Sequence, residues 1–224
     1  GVGESSTETI FSSPEALKAD PYVADGLSEC CTYNIVLPYI KTAREGVKRL
    51  GALIEKYGSA EGFGIGFIDD KETWYLENAG GHRWLACRMP ADKYFVTGNQ
   101  SRYRHYDPND KDNFMASADL IEFAEKNGLY DPKKGEFDFH EAYSKDDIAD
   151  STYNYPRVWG LQGLFSPDIK NDVTKNTFPV YAEADHKLSI ADLRRAFRFH
   201  YDGTDHDPYL HSNGKEPYRP VSIF

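Results

Sequence analysis

Ile40, Ala43, Val47, Leu50 and Ile54 recur at alternating spacings of three and four, which is the strongest periodicity in the chain. That spacing puts all five on one side of a helix and predicts a helix over Pro38 to Tyr57. Lys41, Arg44, Glu45, Lys48, Arg49, Glu55 and Lys56 fill its remaining faces. Glu45 stands four residues before Arg49, where the two charges can pair, and Gly58 supplies a stop. Such a helix draws its stability from the apolar surface it covers, so the rest of the fold must offer one.

The chain that follows has the pattern of such a surface. FGIGFI, ETWYLE, HRWLACRM and YFVTGN are short runs with strand composition. Asp69-Asp70-Lys71, Asn78-Ala79-Gly80-Gly81 and Pro90-Ala91-Asp92-Lys93 separate them with turn-forming residues. An antiparallel meander from Phe63 to Asn99 is expected. Side chains alternate along a strand, so Trp74 and Leu76 share one face while Tyr75 and Glu77 share the other. Gly64 and Gly66 leave the first strand bare on one face, where another group can approach closely.

Upstream, Gly1 to Phe11 reads as a strand, and Ser13-Pro14-Glu15 has the cap, proline and acid of a helix start. Downstream, a helix is expected over Ala118 to Lys126, ending near Gly128. Residues 131 to 187 read as long connections with short helices. Ser189 to Phe199 reads as a helix opened by a capping box of Ser189 and Asp192. HYDGTDHDPYLHSNGKEPYRP is a polar, turn-rich loop. With no internal repeat and no low-complexity linker, residues 1–224 read as one α+β domain.

Bulk properties exclude several classes. Over 224 residues, 40% apolar and 14% aromatic, a substantial core can form. A formal charge of −10 disfavours nucleic acid and anionic membranes as partners. No apolar run approaches the ~20 residues of a membrane span. Three cysteines, two of them adjacent, do not make a disulfide framework, and a reducing, cytoplasmic setting is expected. GVGESSTETIF opens and YRPVSIF closes the chain in strand-like runs, as expected of a piece of a longer protein.

Several stretches carry residue types with chemical potential. His200, Asp202, Asp205, His206, Asp207 and His211 could hold a divalent ion, but their spacing matches no closed motif. DPNDKDNF starts like a calcium loop and then departs from it, with Lys111 at the fifth position, Asp112 at the sixth and Ala118 at the twelfth. FGIGF has glycines of a phosphate loop without the third glycine or a following helix. WYLENAGGHRW reads as a hairpin whose Trp residues are core and whose charges face water. Cys30 and Cys31 in ECCTYN have no adjacent base or cation to activate a thiol, and Glu29 works against one, so the pair reads as packing.

Taken together, GVGESSTET, VLPYIKTAREGVKRLGALIEKYG, WYLENAGGHRWLACRMPADKYFVTGNQ, HYDGT and EPYRPVSIF resemble the dipeptidase A family of N-terminal-nucleophile hydrolases. The resemblance runs over nearly the whole chain and is strongest from Val36 to Gln100. It implies a four-layer αββα fold with two antiparallel sheets between helical layers, and hydrolysis of dipeptides with broad specificity. It implies a nucleophilic cysteine at the first position of the mature chain, with its own α-amino group as base and no cofactor. An α-amino group with a pKa of about 8 can take a thiol proton near neutrality.

This chain departs from that pattern. Gly1 to Glu29 precede Cys30 and Cys31, so neither can be the terminal nucleophile, which is expected on polypeptide upstream of Gly1. A C-terminal segment is likewise expected beyond Phe224. The resemblance assigns Asn99, at the end of the meander's fourth strand, as a donor to the substrate oxyanion. It assigns Arg219 in EPYRP as a stabiliser of the thiolate. Thr7 and Glu8, on the first strand, carry the chemistry to meet a dipeptide's carboxylate and ammonium. Dipeptides are the expected partners, and homo-oligomer formation is left open. A non-catalytic relative, like the secernins that act in exocytosis, is the alternative, followed by a divalent-metal-binding domain using His200 to His211.

Overall fold

The computed structural model describes residues 1–8, 10–146 and 148–207. The described residues form two compact units, residues 1–91 with 99–145, and residues 92–98 with 146 and 148–207. The first unit opens with strand Gly3–Glu8 (β1) and helices Pro14–Ala19 (α1), Thr32–Ile35 (α2) and Ala43–Tyr57 (α3). Strands Phe63–Ile68 (β2), Thr73–Ala79 (β3) and Arg83–Arg88 (β4) follow. After strand Tyr94–Phe95 (β5), which belongs to the second unit, come strand Phe114–Ala116 (β6) and helices Leu120–Lys126 (α4) and Phe139–Tyr143 (α5). The second unit also holds helix Ile148–Phe165 (α6), strand Tyr181–Ala182 (β7) and helix Ile190–Ala196 (α7). The architecture is α+β.

The expected apolar stripe is the centre of the first unit. Ala43, Val47, Leu50 and Ile54 are fully buried against Phe63, Ile65, Phe67, Trp74, Leu76, Trp84 and Ala86. Burying side chains of this size contributes on the order of 1.5–3 kcal/mol each. Gly51 lets α3 approach closely, because a Cβ there would lie 2.2 Å from the Trp84 ring.

The helix starts at Ala43 and not at Pro38. Leu37–Tyr39 forms a single tight turn, and Thr42 then caps the helix through Oγ1, which accepts the Glu45 N–H at 3.2 Å. Glu45 accepts the Lys41 N–H at 2.7 Å and so serves the cap rather than the expected pair with Arg49. Arg49 instead donates to the Ile35 carbonyl at 2.7 Å and lies 4.1 Å over the Tyr39 ring.

The sheet under α3 is antiparallel throughout, in the order β1-β2-β3-β4-β6. The β2-β3-β4 meander forms as the turn residues predict. Its expected fourth strand does not: Tyr94 and Phe95 pair with Ala182 and Tyr181, and β6 takes the place beside β4. The reason is packing. Val96 buries itself with Tyr155, Val158 and Phe178, and Tyr94 meets Phe165 edge-on at 5.4 Å.

Helix α6 corrects the expectation of long connections over residues 131 to 187. It runs 18 residues with Pro156 inside, where a proline removes a backbone donor and costs about 3 kcal/mol. Burial of Tyr155 and Val158 offsets that local preference. The capping box of Ser189 and Asp192 is present at the start of α7. No helix among the described residues is long and apolar enough to cross a membrane.

The tip of the β3–β4 hairpin is tied to the end of α1 by one residue. Asp20, 5% exposed, accepts the His82 N–H and contacts its ring Nδ1, both at 2.7 Å. It also pairs with Arg83 at 3.3 Å, while its carbonyl accepts the Gly81 N–H at 2.9 Å. Removing this carboxylate strands several donors at once. Asp20→Ala is expected to lower unfolding stability by about 3 kcal/mol in a urea titration, and a loss under about 1 kcal/mol would contradict this account of the hairpin tip.

Candidate active site

The face of the sheet turned away from α3 is the one that carries polar chemistry. Its register aligns Thr7 with Gly64 and Gly64 with Glu77, and, one step along, Ser5 with Gly66, Tyr75 and Cys87. The bare position at Gly64 is covered by Tyr75, whose hydroxyl would lie 1.7 Å from a Cβ placed there. This is the close approach that the glycines predict. Thr7 Oγ1 donates to the Gly64 carbonyl at 3.2 Å and stands 3.4 Å from the Tyr75 hydroxyl. Tyr103 meets Tyr75 edge-on at 6.1 Å.

Glu77 lies at the middle of this face and is wholly buried. Its carboxylate accepts the Ser101 hydroxyl at 2.6 Å and the Arg102 N–H at 2.8 Å. The Ser101 carbonyl in turn faces His140 Nδ1 at 3.2 Å. A carbonyl only accepts, so this nitrogen is the donor. Burial pushes the Glu77 carboxyl up from its ordinary value, opposed by Ser101, by the Arg102 and Tyr103 N–H groups, and by His140. Burial, then the nearby Glu77 charge, raises the Cys87 thiol well above its usual range. Cys87 is thus a packed side chain and a poor nucleophile.

Asn99 falls in a bend and is half-buried, two residues before Ser101, at the point where the chain re-enters the first unit. It does not end a meander strand, since β5 pairs elsewhere. Thr7 is on the edge strand, on the same sheet face as Glu77. The Glu8 backbone pairs with Phe63, but its side chain lies outside the described residues. Arg219 also lies outside them.

The other candidates resolve locally. Cys31 donates to the Ser28 carbonyl at 3.0 Å and packs on the core, and Cys30 is exposed with Sγ 3.1 Å from Ser28 Oγ. Cys31 packs as its surroundings in the sequence suggest, whereas Cys30 departs from that reading by standing exposed on the short helical turn Glu29–Cys31. Asp107 and Asp110 bond the N–H groups of Asn109, Asp112 and Asn113, so the calcium-like loop folds onto its own backbone. Among the described residues no three His, Cys, Asp or Glu side chains gather as a metal site. His211 lies outside those residues.

WYLENAGGHRW is a hairpin with Trp74 and Trp84 in the core, but its charges do not face water. Glu77 is buried, and Arg83 is held between Asp20 and Asp119 over the Phe123 ring. Sequence reasoning missed Glu77, Ser101 and His140 as a group. One signal was present: Glu77 shares its strand face with Tyr75 and Ala79 and is the lone acid there.

The profile of peptidase family C69 matches residues 1–224. A probable dipeptidase of Salmonella dublin is 55% identical over 226 residues, covering 100% of this chain and 52% of its own length. A probable dipeptidase of Latilactobacillus sakei is 39% identical over 99% of this chain and 47% of itself. Dipeptidase A of Lactobacillus helveticus is 33% identical over 99% of this chain and 48% of itself. The chain spans about half the length of the curated relatives it matches.

The buried Glu77 gives a stability dependence with a definite sign. Its pKa in the fold stands above the ordinary 4.5, so in that window the folded chain keeps a proton that the unfolded chain has released. The stability this group contributes is complete below the unfolded pKa and is lost as pH rises through the folded one. Ser101, Tyr103, His140 and Cys87 are the groups that face it. Glu77→Gln cannot ionise and escapes the loss. Urea unfolding from about pH 4 to about pH 8 should show the wild type losing ground to the variant as pH rises. A difference that is flat, or that grows in the wild type's favour, would contradict the raised pKa.

Proposed function

This chain belongs to peptidase family C69, and on that premise we propose that it is one part of a cysteine dipeptidase whose nucleophile lies on polypeptide outside these residues. The observation that carries this reading is the match along the whole chain to proteins named dipeptidase or probable dipeptidase, at 55%, 39% and 33% identity. The two units are read as parts of one four-layer αββα domain of the N-terminal-nucleophile type, and the protein as cytoplasmic. A terminal cysteine thiolate attacks the dipeptide carbonyl, and its α-amino group carries the proton to the leaving amine. Water then hydrolyses the acyl-enzyme. No cofactor is needed for these steps.

The residues of this chain serve that reaction by position. The Asn99 amide donates to the oxyanion of the tetrahedral intermediate. Arg219 lowers the cost of the thiolate by its charge. Thr7 and Glu8 meet the carboxylate and ammonium ends of the substrate, so recognition rests on the dipeptide's termini and leaves its side chains loosely constrained. Thr7 supports this role by standing on the face where the Asn99 segment is anchored through Glu77.

The test is hydrolysis of several dipeptides by the complete gene product and by this 224-residue chain, assayed side by side. The complete protein is expected to be active and the isolated chain inactive. Asn99→Ala in the complete protein is expected to lower kcat by roughly 100- to 1,000-fold, the usual cost of one oxyanion donor. An inactive complete protein, or activity in the chain alone, would overturn the reading.

A further inference from the structure

The segment that carries Asn99 is fastened in an unusual way. The Ser101 carbonyl and the Arg102 N–H are the two ends of one peptide unit. His140 Nδ1 holds the first at 3.2 Å and Glu77 holds the second at 2.8 Å. The Ser101 hydroxyl adds a second bond to Glu77, at 2.6 Å. We propose that Glu77 and His140 are positioning residues, which clamp this peptide unit by both ends and thereby set where the Asn99 side chain is presented. The proposal rests on the oxyanion role given to Asn99 above.

A buried peptide group left without hydrogen-bond partners is costly. Ser101 and Arg102 are only 2% and 3% exposed, so their peptide unit must find partners inside the protein. Glu77 comes from the central strand β3, which is paired on both sides. His140 comes from α5, which is itself fixed. Phe139 and Tyr143 are buried there, and the Tyr143 hydroxyl donates to the Leu120 carbonyl at 2.6 Å. The next residues are docked on the same helix. The Arg104 carbonyl accepts the Phe139 N–H at 2.8 Å, and the Arg104 guanidinium pairs with Asp138 at 2.8 Å.

A buried carboxylate is an expensive way to fill a sheet face, since an apolar side chain of similar size would cost less. What the acid supplies is two acceptors on rigid scaffold, aimed at one short stretch of chain. Misplacing a catalytic group by about 1 Å costs on the order of a hundredfold in rate, so fixing Asn99 to this degree bears directly on turnover.

The complete gene product tests this through a cycle of variants in dipeptide hydrolysis. Glu77→Gln keeps the size and the acceptor for Arg102 but weakens the hold on Ser101. It is expected to lower kcat by roughly ten- to a hundredfold while KM holds. Adding Glu77→Gln to Asn99→Ala should cost nothing more, because the positioned group is already gone. A wild-type kcat in Glu77→Gln, or losses that multiply in the double variant, would overturn the positioning role. An unchanged kcat in Asn99→Ala would instead overturn the oxyanion reading on which the proposal stands. Should Glu77→Gln fail to fold, Ser101→Ala leaves the Arg102 bond in place and carries the same cycle with the same outcomes.

Discussion

A carboxylate wholly buried in the middle of a sheet must be answered by donors, and the donors that answer Glu77 organise the polar half of the first unit. Ser101 and Arg102 reach it from an irregular segment, and His140 completes the arrangement from α5. Without these bonds the acid would face several kcal/mol of uncompensated desolvation. With them, an irregular stretch of chain acquires a fixed path across the sheet. The charge is kept in place of a cheaper apolar residue, and the path it imposes is the feature that this cost accompanies.

The sheet therefore divides its two faces by chemistry. Toward α3, large apolar side chains such as Phe67, Trp74 and Leu76 interdigitate with a helix held close by Gly51. Away from α3, glycine, tyrosine, threonine and a buried acid line the surface. The first face explains why the unit holds together. The second explains how Thr7 and the Asn99 segment come to share one side of the fold. Both depend on the hairpin tip, where Asp20 binds the backbone and side chains of the turn.

Much of the first face was legible in the sequence because it rests on periodicity. The α3 stripe, the β2-β3-β4 meander and the caps at Ser13 and Ser189 follow from residue spacing and turn chemistry alone. The start of α3 was misplaced because Thr42, a better cap than any residue near Pro38, takes the orphan N–H groups. The fate of β5 and the length of α6 were not legible. Both are decided by apolar packing among Val96, Tyr155, Val158 and Phe178, residues distant in sequence. In the candidate site, Asn99 and Thr7 rest on resemblance and chemistry alone. The Glu77, Ser101 and His140 group was not legible, since it joins three elements through hydrogen bonds that leave no spacing pattern.

Amide hydrogen exchange at Arg102 reads the clamp most directly. If the Arg102 N–H is held by a buried carboxylate, it exchanges as slowly as the ladder amides of β3, although it lies in none of the strands among the described residues. Exchange at the rate of an exposed turn amide, such as that of Lys71, would show that the peptide unit is not fixed and would contradict the account.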